Sequence, residues 1–318
     1  MRPQPRWRRS IRGLSIGLAI ASAIAAAAVG ASAQLDVRDP TLFRGHTDLV
    51  TVGVTVAGKK HHYVTDLAPN DFAVYEDGRP QQILAFASGS EPGPPLHIGV
   101  LLDVSGSQGL DLAFTQTAVI KFVTSLTDAV DVTFIDFASR VRGARYAQND
   151  FPRLVERVRR LTAGGDTALY DAIGLYLDGA SEQDGRKVMV VYTDGADTSS
   201  SLGLGPLMTM LKASDVTVYS IGALDNQPQS TQLTERAVLA DIAEATGGTA
   251  FFPGSAKDLN KIYEQVLGEV RAQYTIGYVS TNEKTDGGWR KVNIKITRGD
   301  GKGLKVRARK GYYAPSRP

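Results

Sequence analysis

An aspartate and two serines stand at every second position after an apolar run. Asp103, Ser105 and Ser107 close the segment LHIGVLLDVSGS, residues 96–107. Three kinds of chemistry use such a triplet: the cap of a following helix, a serine nucleophile, or a cation held by oxygen ligands. Two further oxygen-rich stretches bear on the choice. GGDTALYD (164–171) carries Thr167, and TDG (193–195) carries Asp194. Capping explains the triplet alone but leaves Thr167 and Asp194 unaccounted for. Hydroxyls and carboxylates, without imidazole or thiol, suit a hard octahedral cation such as Mg²⁺. Val104 and Gly106 act as spacers that let the loop turn three side-chain oxygens toward one centre.

The nucleophile reading lacks partners. A serine hydrolase needs a general base, and His46, His61, His62 and His97 all lie at or before the strand that ends in Asp103. No Ser-x-x-Lys follows that strand. A phosphoaspartyl enzyme built on Asp103 would want a second acid two residues on, where Ser105 stands. The glycine patterns of nucleotide-binding loops are missing too. Asp166, Asp171 and Asp197 are additional acids near these stretches; Asp171 reads as a first-turn helix charge and Asp197 as a loop residue.

The elements that must position these groups alternate. Strands are expected at 96–103, 130–137, 187–193 and 216–222, with a short one in TAFFP. Helices are expected at 108–126, 151–161, 168–180, 203–214, 234–245 and 256–270. In the first of these helices Leu110, Phe114, Ala118, Phe122 and Leu126 recur at steps of four and predict its buried stripe. Continuous apolar strands alternating with helices predict an α/β fold with a doubly wound, mostly parallel sheet covered on both faces. In such a sheet ligands sit beyond the carboxyl ends of the strands, where Asp103 and Asp194 both fall. Residues 34–90 and 271–318 are β-rich instead. Glu76-Asp77-Gly78-Arg79 marks a hairpin in the first, and the two segments are expected to pair into one sandwich-like module flanking a 96–270 domain.

D-x-S-x-S at 103–107, Thr167 in GGDTALYDAI and TDG at 193–195 together resemble the von Willebrand factor type A domain, whose metal-ion-dependent adhesion site draws its ligands from those positions. The resemblance implies that Ser105, Ser107 and Thr167 contact the metal, and that Asp103 and Asp194 hold it directly or through water. The flanks LAPNDFAVYEDGRPQQILAF (67–86) and YTIGYVSTN…WRKVNIKI…KVRARKGYYAP (274–315) look like the terminal segments of von Willebrand factor type A-related proteins abundant in Acidobacteria. Gln108 departs from the methionine that many relatives carry, at a position that is not a ligand.

Composition sets the compartment. The formal charge of +3 arises from five arginines in residues 1–33, a stretch with no acid; without it 31 basic groups face 33 acidic ones. A near-neutral protein gives no support for a nucleic-acid partner. Those arginines precede an apolar run at 13–30 and Ala31-Ser32-Ala33, the pattern of a signal peptide at 1–33; membrane contact is expected only if it stays uncleaved. The absence of cysteine excludes disulfides and thiolate metal sites. The basic residues of the C-terminal segment, Arg290, Lys291, Lys295, Arg298, Lys302, Lys305, Arg307, Arg309 and Lys310, are expected on a solvated face. The sequence thus predicts a periplasmic or secreted protein-binding module and not an enzyme. Its site would hold Mg²⁺, with Mn²⁺ or Ca²⁺ as alternatives, and would take an Asp or Glu carboxylate from a protein partner. The rival readings are a metal-assisted enzyme and a structural envelope protein whose ion ties loops together.

Overall fold

The computed structural model describes residues 49–316, apart from 59–61, 90–92, 195, 226 and 300–302. The expected signal peptide, His46, Lys59, Lys60, His61, Gly195 and Lys302 lie outside the described residues. Four strands come first: β1 (Leu49–Ala57), β2 (Phe72–Glu76), β3 (Arg79–Gln81) and β4 (Ile83–Ala87). The Asp77-Gly78 turn between β2 and β3 has φ of 48° and 82°, the pair of positive values that a two-residue hairpin of this twist requires.

The α/β part follows as β5 (Leu96–Asp103), α1 (Leu112–Thr124), β6 (Ala129–Phe137), β7 (Val141–Ala147), α2 (Phe151–Arg159), α3 (Leu169–Ala180), β8 (Arg186–Thr193), α4 (Leu204–Ala213), β9 (Thr217–Gly222), α5 (Gln229–Ala245), β10 (Ala250–Phe251) and α6 (Leu259–Ala272). Its six-stranded sheet has the order β10-β9-β8-β5-β6-β7. All neighbours run parallel except β7, which is antiparallel to β6. Alternation along β5 feeds two cores. Ile98, Val100 and Leu102 join the cluster with α1 and α6, whereas Leu101 joins the one with α3, α4 and α5. A strand buried on both faces needs no polar alternation, which is why 98–102 reads as one apolar run.

Two expectations need correction here. Strand β7 was not anticipated, because VRGARYA carries two arginines and a glycine and is mostly exposed at the sheet edge. The predicted stripe of α1 is also displaced. Four residues cover about 400° of helix, so a step-of-four series drifts by about 40° each time, and Phe114 ends 49% exposed. The face that packs is Leu112, Thr115, Ala118, Val119, Phe122 and Val123.

The last four strands are β11 (Tyr274–Val279), β12 (Trp289–Ile296), β13 (Lys305–Ala308) and β14 (Gly311–Tyr313). They interleave with the first four in two antiparallel sheets, β13-β1-β11-β4 and β14-β12-β2-β3. Val52, Val54 and Phe86 of one sheet share a core with Val74, Val292 and Ile294 of the other. The C-terminal basic run is not uniformly solvated. Alternation along β12 turns Trp289, Lys291 and Lys295 outward but Arg290 inward. Arg307 forms an ion pair with the buried Glu269 of α6, which also accepts from Tyr63 (3.1 Å) and from Tyr219 of β9 (3.0 Å). That cluster ties the sandwich to the α/β part, and Arg309 is likewise drawn into the seam between them.

Candidate metal centre at the strand ends

The site begins where β5 stops. Asp103 is fully buried, and each of its oxygens takes one donor: the Ser105 amide reaches Oδ1 at 2.8 Å and the Thr193 hydroxyl reaches Oδ2 at 2.6 Å. The first bond folds the chain back on itself after the strand. The second crosses from the end of β8, so Asp103 couples two neighbouring strand ends. Ser107 Oγ donates to Asp194 Oδ1 at 2.8 Å and lies 3.1 Å from Ser105 Oγ. Four of the five expected ligands therefore form two linked groups at one rim.

Thr167 stands on the adjoining loop. Gly106 N donates to Gly165 O and Gly164 N to Val104 O, both at 2.9 Å, so the loop at 164–167 runs directly against the serine loop. Gly165 has φ of +87°, and a Cβ there would lie 2.7 Å from Ser139 Oγ; a side chain would strain the backbone and press on the turn between β6 and β7. The Thr167 backbone is fixed by Thr198, whose hydroxyl accepts its N–H at 2.9 Å and whose own N–H donates to its carbonyl at 2.8 Å. Among the described residues no hydrogen bond joins the Thr167 hydroxyl to the other four ligands.

The additional acids brace the loops. Asp171 accepts from the amides of Ser201 (2.9 Å) and Leu202 (2.8 Å), and Asp197 accepts from the Tyr170 amide at 3.1 Å. Both tie the segment after β8 to the start of α3. Asp166 receives the same service in reverse, its amide donating to Ser139 Oγ at 2.7 Å. Sequence reasoning missed Thr193, Thr198 and Ser139 as partners. Thr193 could have been suspected as the residue before Asp194 on a strand end; the other two carry no signal beyond loop polarity.

Burial pushes Asp103 up to about 6, against the hydrogen bonds from Ser105 and Thr193 and helped by the charge of Asp194. Burial also raises Asp194, while Ser107 and Gln108 draw it down. Among the described residues no Lys or Arg forms an ion pair with either carboxylate. A buried carboxylate with a half-buried one beside it and no counter-charge is costly, and a divalent ion would neutralise both. Ser107 spends its proton on Asp194 and so accepts from Ser105, which leaves one lone pair for a Lewis acid. The donor set thus fits a hard ion. Among the described residues no three His, Asp or Glu side chains gather as a metal cluster, so such an ion would depend on neutral hydroxyls as well as on Asp103 and Asp194.

No curated protein matches the chain. Among solved structures it is similar to a von Willebrand factor type A protein from Catenulispora acidiphila, with 13% identity over 84% of this chain and 74% of that one and a TM-score of 0.49. An aerotolerance-related membrane protein from Bacteroides fragilis gives 19% identity over 55% and 98%, with a TM-score of 0.46. Proximal thread matrix protein 1 from the mussel byssus, in a form with a zinc-occupied MIDAS motif, gives 18% over 60% and 49%, also at 0.46. The family model for the von Willebrand factor type A domain matches residues 97–265. That span runs from β5 into α6 and contains every residue of the strand-end site, so the chain belongs to the von Willebrand factor type A domain family.

Proposed function

We propose that this protein is an exported, metal-dependent protein-binding module. Asp103, Ser105, Ser107, Thr167 and Asp194 would hold Mg²⁺, with Mn²⁺ or Ca²⁺ as alternatives. When bound, the ion would supply an open coordination position for an Asp or Glu carboxylate of a partner. The observation that carries this reading is the buried Asp103 carboxylate and the half-buried Asp194 carboxylate, without a counter-cation, at the carboxyl ends of β5 and β8. Asp103 fixes the serine loop and the β8 end relative to each other, and Ser107 orients Asp194. The loop braces from Asp171, Asp197 and Thr198 keep the rim in place, so the ligands are presented and not assembled by the partner.

The enzyme alternative gains nothing from the rim. His97 lies at the opposite end of β5, bonded to Asp131 at 3.0 Å and to the Asp184 carbonyl at 3.0 Å, and His62 is exposed beyond β1. Neither can act as a base at Ser105 or Ser107. Residues 1–33 are proposed as a cleaved signal peptide, which would place the module in the periplasm or outside the cell. Among the described residues no helix is long and apolar enough to cross a membrane.

Titration calorimetry with Mg²⁺ and Mn²⁺ tests the reading. Asp103→Ala is expected to abolish divalent binding and Ser105→Ala to weaken it about tenfold, because a charge contributes more than one neutral oxygen to holding a hard ion. Wild-type protein that binds neither ion at millimolar concentration would overturn the proposal.

A further inference from the structure

The end of the central sheet remote from Asp103 holds a second feature. Lys187 and Thr193 stand near opposite ends of β8, about 20 Å apart at the usual rise per residue. Beside Lys187 a cavity of about 740 Å³ opens between the sandwich and the α/β part, within the range of small-molecule sites. Its lining is mixed: Leu49 from β1, Leu177 from α3, Val216 before β9, and Tyr312 and Tyr313 from β14 give it an apolar and aromatic part, beside polar and charged residues.

One cation in this wall lacks a counter-ion. Arg309 donates to the Ser214 carbonyl at 3.1 Å and the Thr51 carbonyl at 2.8 Å, and its guanidinium lies 5.5 Å from the centre of the Tyr312 ring. Its Nε is buried without a partner, and among the described residues it makes no ion pair. The nearby carboxylates are already engaged. Asp215 closes on Lys187 with both oxygens, at 2.8 and 2.6 Å. Glu76 accepts from Tyr278, Ser280 and Tyr312 at 3.0, 2.5 and 2.8 Å. Burial pulls the Arg309 guanidinium below its ordinary pKa against the opposing charge of Asp215, the direction expected for a desolvated cation. Glu283 and Lys284 in the lining are of opposite sign, so the lining residues carry one positive charge in excess, with Glu76 outside the lining behind Tyr312.

We propose that this cavity binds a small amphiphile bearing a single carboxylate. The carboxylate would face the Arg309 guanidinium, whose five N–H groups are only partly spent on the two carbonyls, and the apolar body would lie against Leu49, Leu177, Val216 and Tyr313. One carboxylate matches the single uncompensated charge, and an apolar body matches the apolar part of the lining. This site is separate from the metal rim and does not rest on the function proposed for it.

Decanoate, titrated calorimetrically into the purified protein in EDTA, is the probe. The chelator removes any contribution from carboxylate coordination at the metal rim. Decanoate is expected to bind at least tenfold more tightly than acetate, which lacks the body, and than decyltrimethylammonium, which inverts the charge. Arg309→Gln should weaken it at least tenfold. That substitution also removes one hydrogen bond to the α/β part, at Ser214, and one within the sandwich, at Thr51, so Ala213→Phe provides a second variant. It fills the cavity from the exposed end of α4, leaves Arg309 in place, and should lower affinity to the same degree. Equal binding of decanoate and decyltrimethylammonium would overturn the proposal, as would decanoate affinity unchanged in Ala213→Phe.

Discussion

Replacing Asp103 by asparagine should make the metal-free protein more stable at neutral pH while destroying its metal site. The carboxylate is fully buried and its pKa rises from 3.8 to about 6. A shift of about two units at about 1.4 kcal/mol each amounts to about 3 kcal/mol held against the fold at pH 7. For an acid with a raised native pKa the folded state binds more protons than the unfolded chain between those two values. Stability in EDTA therefore falls as pH rises from about 4 to about 6, and stays low above. Asparagine removes that loss but not without cost. Its amide oxygen can still accept from Thr193, whereas its NH₂ would then meet the Ser105 N–H, a donor facing a donor worth about 1–2 kcal/mol. Asp103→Asn is thus expected to be more stable than wild type by about 1–2 kcal/mol at pH 7 and less stable at pH 4, so that the two curves cross. Urea denaturation in EDTA at half-unit pH steps would trace them, and addition of 10 mM Mg²⁺ should then raise only the wild-type midpoint. Parallel pH profiles for the two proteins would refute the reasoning, because they would mean that the Asp103 carboxylate is not held at a desolvation cost.

Three further outcomes can be checked directly. N-terminal sequencing of the exported protein should begin at Gln34; a membrane-bound product that still carries Arg2 would make the first segment an anchor. A chain ending at residue 270 loses β11 from between β1 and β4, so Val52, Val54 and Phe86 become exposed, and the fragment is expected to be insoluble. Equal denaturant midpoints for that fragment and the full chain would rule out the shared sandwich. Arg157→Met should destabilise by about 3 kcal/mol in urea titrations, since Asp136 is 1% exposed and would keep only Arg142 as its cationic partner.

Much of the α/β part is legible because its physics is local. The run at 98–102 is uniformly apolar since both faces of β5 are covered, and the change to Asp103, Ser105 and Ser107 marks where the strand leaves the core. Thr167 and Asp194 could be added because each follows a recognisable punctuation, a double glycine in one case and a strand end in the other. What stayed hidden depends on distant neighbours. The inward turn of Arg290, Arg307 and Arg309 follows from sheet register and from Glu269, which lies far away in sequence. Strand β7 looks like loop because an edge strand has little apolar surface to bury. Thr193 resembles any β-branched strand residue until Asp103 is placed beside it. Phe114 fits a step-of-four pattern that a helix of 3.6 residues per turn cannot keep on one face.

The interleaving of first and last strands also governs how the molecule would carry a mechanical load. The α/β part leaves the sandwich through β4 and returns through β11, and these two strands are direct neighbours, with Thr275 opposite Ala87. A pull on the strand-end rim would therefore reach the sandwich through two covalent tethers anchored side by side, each bearing a share of the tension. The load would then spread as shear along β11 into β1, across the six residue pairs from Leu49–Val279 to Val54–Tyr274. Shear strains those pairs together, whereas peeling would open them one at a time. A fold threaded in this way can be tugged at its rim without being unzipped from its ends.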